Sequence, residues 1–353
     1  MEIYILNKRF EMVSIVDSYT SLIWTDRYYK AGDFEIYIPT SRENLDKFVP
    51  DYYLWDRDSD HMMIIENIKT TSDIDEGNNL TVSGRSLESI LERRIVWNQT
   101  EISGSFQNCI KRLINENVIS PASSKRAISN FIFVDSIDPA ITTLTIDAAQ
   151  YDGENLYDII CKLCEDKKVG FKITLNSSNK FEFRLYVGAD RSYSQNTNPF
   201  IVFSPQFENI INSEYRESKS VFRNVALVAG EGEGTERKKA EAGDVNLTDL
   251  DRREVFISSD LSTNNGEISD SVYINQLKEK GVEELKNHKT EKIFEGEVET
   301  SKIFIYKRDY FMGDILELED EYGRQSRTRV IEFIRNQDNN GFKAYPSFEV
   351  VDG

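Results

Sequence analysis

The chain has 353 residues, too many for a single hydrophobic core, and its apolar content of 39% is enough to pack several domains. Its net charge of −18 excludes the basic footprint of proteins that bind duplex nucleic acid or an anionic membrane surface. Three cysteines cannot pair fully, no apolar run approaches a membrane span, and the start MEIYILNKRF lacks a secretory pattern. We therefore expect a protein that folds in a cytoplasm and does not insert in a membrane.

Residues 1–95 predict a succession of short strands that ends in a short helix. In FEIYIP, Phe34, Ile36 and Ile38 alternate with Glu35 and Tyr37, which is the period of a strand with two unlike faces. Strands in close succession without intervening helices favour an antiparallel barrel or sandwich. We predict a first β-barrel over residues 1–95, completed by residues 198–211.

Residues 96–197 predict an inserted α+β domain. Apolar side chains recur there at helical spacing in two segments, 106–114 and 156–164, so each helix should offer one apolar stripe to a common sheet. The strands expected in that sheet are Phe131–Val134, Leu144–Ile146, Val169–Leu175 and Phe181–Val187.

Strands dominate again over residues 212–353, which we predict to be a second β-barrel. A long loop over 230–250 and one additional helix over 269–288 interrupt it. The apolar side of that helix is expected to carry Ile274, Leu277, Val282 and Leu285. The predicted fold class is therefore α+β and mostly β, with two antiparallel β-barrels around an inserted α+β domain.

The stretch from Phe222 to Ile257 first suggests a ligand site, because an apolar strand runs into the glycine-rich sequence GEGEG. A phosphate cradle needs the pattern GxxxxGK[ST] and a following helix. No Gly-Lys-Ser/Thr occurs here, a strand is expected instead of a helix, and Glu231 and Glu233 would repel a phosphate. A nucleotide site is therefore not predicted.

The same loop carries seven acids and three bases between Gly230 and Asp251. Loops of this length in compact domains are usually functional or flexible. We predict it to contact a partner or a second subunit, and we expect the small basic clusters to form ion pairs within the chain or across subunits. The candidate contact residues are Glu231, Glu233, Arg237, Lys238, Lys239, Arg252 and Arg253.

No catalytic, metal or cofactor-binding residue is predicted. Cys161 and Cys164 have the spacing of half a zinc site, but a zinc site needs four ligands. Cys109 and Cys164 fall on the apolar stripes of the two predicted helices, where cysteine acts as a small hydrophobe. With two histidines in the chain, a histidine-based triad or multi-histidine site is not expected.

Seven segments together resemble the tail-hub, or baseplate hub, proteins of siphophages and prophages of Gram-positive bacteria. They lie in order along nearly the whole chain, and none is a catalytic signature. The segments are SLIWTDRYYKAGDFEIYIP, MMIIENIK, LTVSGRSLESILERRIVW, DRSYSQNTNPFIVFSPQFENI, NVALVAGEGEGTERK, LDRREVFI and DYFMGDILELEDEYG.

The resemblance implies a structural protein of the virion and not an enzyme. It implies a homotrimer in which each subunit contributes two tail-tube-like β-barrels, forming a ring that adapts the sixfold tail tube to a threefold tip. It further implies contacts with the distal tail protein ring, the tape-measure protein and tip, fibre or receptor-binding proteins. Such a protein is assembled in the host cytoplasm and ends at the distal tail tip or baseplate.

Two alternatives remain open from the sequence: a tail-associated cell-wall hydrolase that acts through carboxylates, and a carbohydrate-binding tail module. For the hub, the charge of −18 suggests an acidic inner surface that DNA and tape measure pass without adhering.

Overall fold

The structure is a computed structural model that describes residues 1–73, 77–263, 268–298 and 303–351. It divides into two compact units. The first comprises Met1–Ser213 and Glu295–Gly353, and the second comprises Glu214–Phe294.

The first unit opens with seven strands and one short helix. Alternation of apolar and polar side chains creates these strands, since a sheet with one buried face needs a period of two. The elements are β1 (Ile3–Leu6), β2 (Met12–Val16), β3 (Ser21–Arg27), β4 (Asp33–Pro39), α1 (Arg42–Lys47), β5 (Tyr53–Asp56), β6 (Met62–Asp73) and β7 (Gly77–Ser86), followed by a 3-10 helix at Leu87–Arg93.

The inserted region mixes helices with two small sheets. Strand β10 pairs with β8, and a second sheet has the order β11-β12-β9, in which β12 and β9 are parallel. The elements are β8 (Thr100–Ser105), α2 (Phe106–Ile114), β9 (Phe131–Val134), α3 (Pro139–Thr142), β10 (Thr145–Tyr151), α4 (Leu156–Asp166), β11 (Gly170–Leu175) and β12 (Phe181–Tyr186).

The rest of the chain is again mainly strands. Its elements are β13 (Val202–Phe203), β14 (Ile210–Ser218), β15 (Val225–Ala229), β16 (Lys239–Gly243), β17 (Glu254–Ser258), α5 (Asp270–Leu285), β18 (Glu291–Val298), β19 (Ile315–Glu319), β20 (Gln325–Asp338) and β21 (Gly341–Val350). Strands β14 and β18 form a two-stranded sheet.

One large sheet contains strands from both ends of the chain. Its order is β13-β19-β20-β3-β4-β7-β6-β5-β1-β2. Strand β21 also pairs with β20 and lies outside this order. Within the described residues no sheet closes into a barrel. The mostly-β fold is therefore confirmed, whereas the prediction of two separate β-barrels is not. Strand β20 joins β3 over some 300 residues of sequence, a pairing that local periodicity does not encode.

This sheet is strongly curled although it is open. Arg335 of β20 bonds Asp56 of β5 at 2.7 Å, yet β5 lies five strands away along the sheet. In a flat sheet those strands would be about 24 Å apart, at about 4.8 Å for each step. A bulge in β6 between Ile65 and Asn67 supports the bend. Gly84 lies opposite it, where an added Cβ would be 1.9 Å from Ile64 O.

The first four residues of β6, 62–65, are buried on both faces because a separate core lies on each side. Met63 and Ile65 belong to the core inside the curl, together with Trp24. Met62 and Ile64 belong to the core of the inserted region. That second core also contains the apolar stripes of α2 and α4, so both helices pack on one core as predicted. The predicted common sheet is wrong in one strand, because the strand expected at Leu144–Ile146 is β10, which pairs with β8 in a separate sheet.

The second unit is a three-stranded sheet covered by one helix. The order is β16-β15-β17, with β15 and β17 parallel, and α5 packs on the face formed by small apolar side chains. Gly281 permits a close approach, since an added Cβ would lie 2.6 Å from Ala242 Cβ. The buried side of α5 carries Tyr273 and Leu277, whereas Val282, predicted on this side, is 51% exposed.

The stretch predicted as one long loop over 230–250 contains a strand. Residues Lys239–Gly243 form β16, which pairs antiparallel with β15. Ala240 and Ala242 are buried between charged neighbours, so the period of two is present. Alanine is a poor strand former, and the alternation of two alanines alone gives only a weak signal.

Candidate functional site

The Gly-Glu sequence follows β15 and is held by α5. The Tyr273 hydroxyl accepts a hydrogen bond from Glu231 N at 2.8 Å and donates one to Leu261 O at 2.6 Å. An added Cβ at Gly230 would lie 2.2 Å from that hydroxyl oxygen. Glycine at this position therefore serves the contact with Tyr273, and not the close approach of a phosphate.

Glu231 is engaged within its own unit. Its carboxylate accepts hydrogen bonds from Thr263 N at 2.8 Å and from Thr263 Oγ1 at 2.7 Å. These two bonds lower the pKa of the Glu231 carboxyl. The side chain is thus an ionised acceptor that fixes the segment after β17.

Arg237 and Lys238 also have partners in the same unit. The Arg237 guanidinium donates to Gly230 O at 2.9 Å and to Ser258 Oγ at 2.6 Å, and it lies 5.9 Å from the centre of the Phe256 ring. Lys238 forms an ion pair with Asp270 at the start of α5. Both cations therefore tie the loop to its own sheet and helix.

Arg252 and Arg253 act at the entrance to β17. Arg252 bridges Glu254 at 2.6 Å and Glu241 of β16 at 2.9 Å, which confirms the predicted ion pairing within the chain for this residue. Arg253 donates to Lys219 O at 2.7 Å. These contacts tie the start of β17 to β16 and to the segment before β15.

The remaining two candidates, Glu233 and Lys239, are exposed. Among the residues that the structure describes, neither side chain has an ion-pair or hydrogen-bond partner. They are therefore the members of the predicted set best placed to meet another molecule. A contact role for the seven residues stays a prediction.

A surface that the sequence reasoning did not single out lies at β2. This strand ends the large sheet and pairs with β1 alone in the described part. Met12 is 61% exposed, Val13 49% and Ile15 39%. The five residues MVSIV contain no charge, glycine or proline. An edge strand of this composition is prone to pair with another chain.

The free side of β21 differs from β2. Pro346 lies in the middle of β21, opposite Phe333 of β20. Proline in a sheet is confined to edge positions because it has no N–H to donate. Strand β21 is therefore interrupted as a pairing edge, whereas β2 is not.

A buried polar network holds the curl of the large sheet. The Arg335 guanidinium bonds Asp26 at 2.8 Å as well as Asp56, and all three side chains are at least 96% buried. Asp26 also accepts from Trp24 Nε1 at 3.0 Å and Ser59 Oγ at 2.8 Å. Burial raises the pKa of the Asp56 carboxyl although the Arg335 charge opposes it.

A second buried pair links the large sheet to the inserted region. His61 Nδ1 lies 3.1 Å from Glu88 Oε1, and the same oxygen accepts from Ile173 N of β11 at 2.7 Å. Burial alone would lower the pKa of His61 and raise that of Glu88. The attraction between their charges and their hydrogen bond outweigh the effect of burial. The pKa of His61 is therefore raised and that of Glu88 is lowered.

The cysteines lie in helices of the inserted region. Cys109 and Cys164 are buried on α2 and α4, as predicted. Burial raises the pKa of the Cys161 thiol to about 12 and that of Cys164 well above its usual range. A thiol that stays protonated is a poor metal ligand.

Among the described residues, no helix has the length and apolar character needed to cross a membrane.

The architecture is that of phage and prophage tail proteins. A tail protein from Neisseria meningitidis MC58 is 12% identical with a TM-score of 0.58, over 99% of this chain and 96% of that one. The 43 kDa tail protein of prophage MuSo2 from Shewanella oneidensis is 12% identical with a TM-score of 0.56, over 99% and 98%. Prophage tail protein gp18 from Listeria monocytogenes EGD-e is 10% identical with a TM-score of 0.53, over 100% and 95%.

Residues 2–348 match the family described as Siphovirus ReqiPepy6 Gp37-like protein, and the chain belongs to this family of siphovirus tail proteins. It is accordingly a structural component of a phage virion. The resemblance to tail proteins inferred from the sequence is confirmed. None of the curated protein sequences compared with the chain matches it.

Proposed function

We propose that this tail protein forms the hub at the distal end of the tail, as a homotrimeric ring that adapts the sixfold tube to a threefold tip. The family match over nearly the full chain supports a tail role. The proposal of a ring rests on the exposed edge of β2. This strand is uncharged and apolar, and its outer edge has no partner strand in the described part. An edge of this kind is expected to be covered in the assembled state.

The occupant that we assign to β2 is a second copy of this chain. A ring requires a heterologous contact, in which β2 of one subunit meets a different surface of its neighbour. Each subunit would present two tail-tube-like faces to the ring, so that three subunits match a sixfold tube.

The partners that follow from this position are the distal tail protein ring above, the tape-measure protein within, and tip, fibre or receptor-binding proteins below. Glu233 and Lys239 are our first candidates for such contacts, since both are exposed beside the Gly-Glu sequence. We extend the same role to Glu231, Arg237, Lys238, Arg252 and Arg253 as residues that shape this surface.

The inner surface of the ring is expected to be acidic. The chain has a net charge of −18, so like-charge repulsion would let DNA pass without specific binding. A map of the assembled ring with a neutral or basic lumen would contradict this part of the proposal.

The oligomeric state tests the proposal directly. Mass photometry of the purified protein, alone and with its neighbouring tail proteins, should give a trimer. A stable dimer under both conditions would exclude the ring. The hydrolase alternative has its own assay, because reproducible clearing of Gram-positive cell walls by the purified chain would replace a purely structural role.

A further inference from the structure

A cavity of about 290 Å³ lies within the first unit, between the large sheet, the inserted region and the segment before β19. His61 lines it from the turn before β6, and Tyr186 lines it from the end of β12. Tyr306 closes another side. The charged part of the wall is formed by Asp26, Asp60, Lys172, Arg191 and Asp314. The tail role proposed above makes no use of this site.

The charged groups in the wall neutralise one another. Asp26 bonds Arg335 at 2.8 Å, and Asp314 bonds Arg191 at 2.7 Å. Asp60 lies 2.9 Å from Lys307 and 3.7 Å from Lys172. Each carboxylate thus faces a cation of the protein itself. The cavity offers no unpaired charge of this set to a ligand, which disfavours ions and favours an uncharged occupant.

Three polar groups in the wall still have hydrogen-bonding capacity. His61 is 4% exposed, and its Nδ1 is bound by Glu88, which leaves Nε2 to act as an acceptor in the neutral ring or a donor in the imidazolium. Within the described residues, the hydroxyls of Tyr186 and Tyr306 have no hydrogen-bond partner. Burial raises the pKa of both phenols well above the usual range, so each hydroxyl can donate and accept.

The two tyrosine rings are fixed by packing. Tyr306 stacks on Phe333 with ring centres 3.8 Å apart and planes at 13°. Tyr186 meets Tyr28 edge-on at 5.2 Å, and Lys172 Nζ lies 5.3 Å from the Tyr186 ring centre. Rings held in this way present their hydroxyls at little entropic cost to a ligand.

We propose that this cavity binds a small uncharged polyhydroxylated molecule, a single pyranose ring of a sugar. Such a ring carries several neighbouring hydroxyls that donate and accept, which matches the mixed capacity of His61, Tyr186 and Tyr306. The volume lies at the lower limit of small-molecule sites, which measure about 300–1,000 Å³, so one ring fits better than a chain.

The test is a binding titration of the full chain with methyl glucoside, methyl galactoside and methyl N-acetylglucosaminide, followed by protein-observed NMR or calorimetry. We expect at least one of them to bind with a Kd on the order of millimolar, as for a ligand of about a dozen heavy atoms. Phosphate and acetate serve as charged probes and should bind more weakly. No binding of any pyranoside at about ten times that concentration, or tighter binding of phosphate, would overturn the proposal.

Two conservative variants locate the site. Tyr186→Phe and Tyr306→Phe remove one hydroxyl each and keep the ring packing, so each should weaken the pyranoside about three- to tenfold. Tyr322→Phe is the matched control, because Tyr322 is 81% exposed and does not line the cavity. An affinity that both cavity variants leave unchanged would place the sugar elsewhere and refute the assignment.

Discussion

Arg335 links two distant strands of the curled large sheet. It joins Asp26 of β3 to Asp56 of β5 across the inside of the sheet. A buried pair adds little over a well-packed apolar alternative, but removing one partner leaves the other charge without compensation. Two carboxylates would be left in this case.

Arg335→Met should therefore lower the free energy of unfolding by about 3–5 kcal/mol. Urea denaturation followed by circular dichroism measures this loss. The loss should shrink at acid pH, because burial already raises the pKa of the Asp56 carboxyl and the freed group can then take up a proton. Arg308→Met is the control: Arg308 is 61% exposed and pairs with Asp309, so its loss should leave the free energy of unfolding nearly unchanged. Equal effects of the two variants would contradict the role of Arg335.

The His61–Glu88 pair predicts a defined pH dependence. Because the pKa of His61 is raised in the folded state, His61 stabilises the fold fully at pH values below its pKa in the unfolded chain. This stabilisation is lost as the pH rises through its pKa in the folded protein. Because the pKa of Glu88 is lowered in the folded state, Glu88 stabilises the fold fully at pH values above its pKa in the unfolded chain. This stabilisation is lost as the pH falls through its pKa in the folded protein. Both stabilising effects are complete between about pH 4.5 and 6.5, which are the pKa values of Glu88 and His61 in the unfolded chain.

The free energy of unfolding lost in His61→Gln should accordingly be greatest in that window and smaller at both pH extremes. Denaturant titrations of both proteins across this range give the difference directly. Asp26, Asp60 and Lys172 face the same region and are present in both proteins, so their contributions to the free energy of unfolding largely cancel in the comparison. A difference that does not vary with pH would show that His61 acts through packing alone.

Sequence reasoning recognised neither cluster. Arg335 follows the mainly apolar segment VIEFI, and His61 precedes the apolar run MMII. A charged or titratable residue beside such a run is a usable signal of a buried polar group. Its partner cannot be inferred in this way, because Asp56 and Glu88 lie among 61 acidic residues and meet their partners only through the fold.

At the scale of elements, β2 makes a prediction about assembly. Val13→Lys places a charge on the exposed side of the free edge, and edge lysines prevent pairing with other chains. The variant should keep the melting temperature of the isolated chain and reduce the trimer fraction at least tenfold, measured by mass photometry. The control is Val282→Lys on α5, since Val282 is 51% exposed and Val13 49%. A normal trimer fraction in the Val13→Lys variant would show that β2 is not part of the subunit interface.

The elements differ in how well the sequence predicts them. Helices α2 and α4 carry apolar residues at strict helical spacing, and their predicted positions agree with the structure. Strand β16 was missed because its buried positions are alanines, which give little hydrophobic contrast. On the side predicted for α5, Leu277 is buried and Ile274 and Leu285 pack against the same core. The placement of Val282 on this side is wrong for a related reason: Gly281, which lies against Ala242, gives no apolar signal.

For the whole molecule, the main difference between sequence and structure is the large sheet. Strands such as β4 have a recognisable pattern, but the pairing of β3 with β20 brings residues 22–27 beside residues 332–337. Nothing in a local period selects one distant strand over another. The family resemblance supplied the tail role that periodicity could not, and it did so through several segments spread along the chain.

The central claim is a ring of this protein at the distal end of a phage tail. An electron microscopy map of the intact tail, with this chain located by a fused tag or a bound antibody fragment, tests it most directly. The proposal predicts one ring of three copies at the tip, with β2 of each copy against its neighbour. Copies distributed along the tube, or a tip with a single or a twofold set of copies, would contradict it.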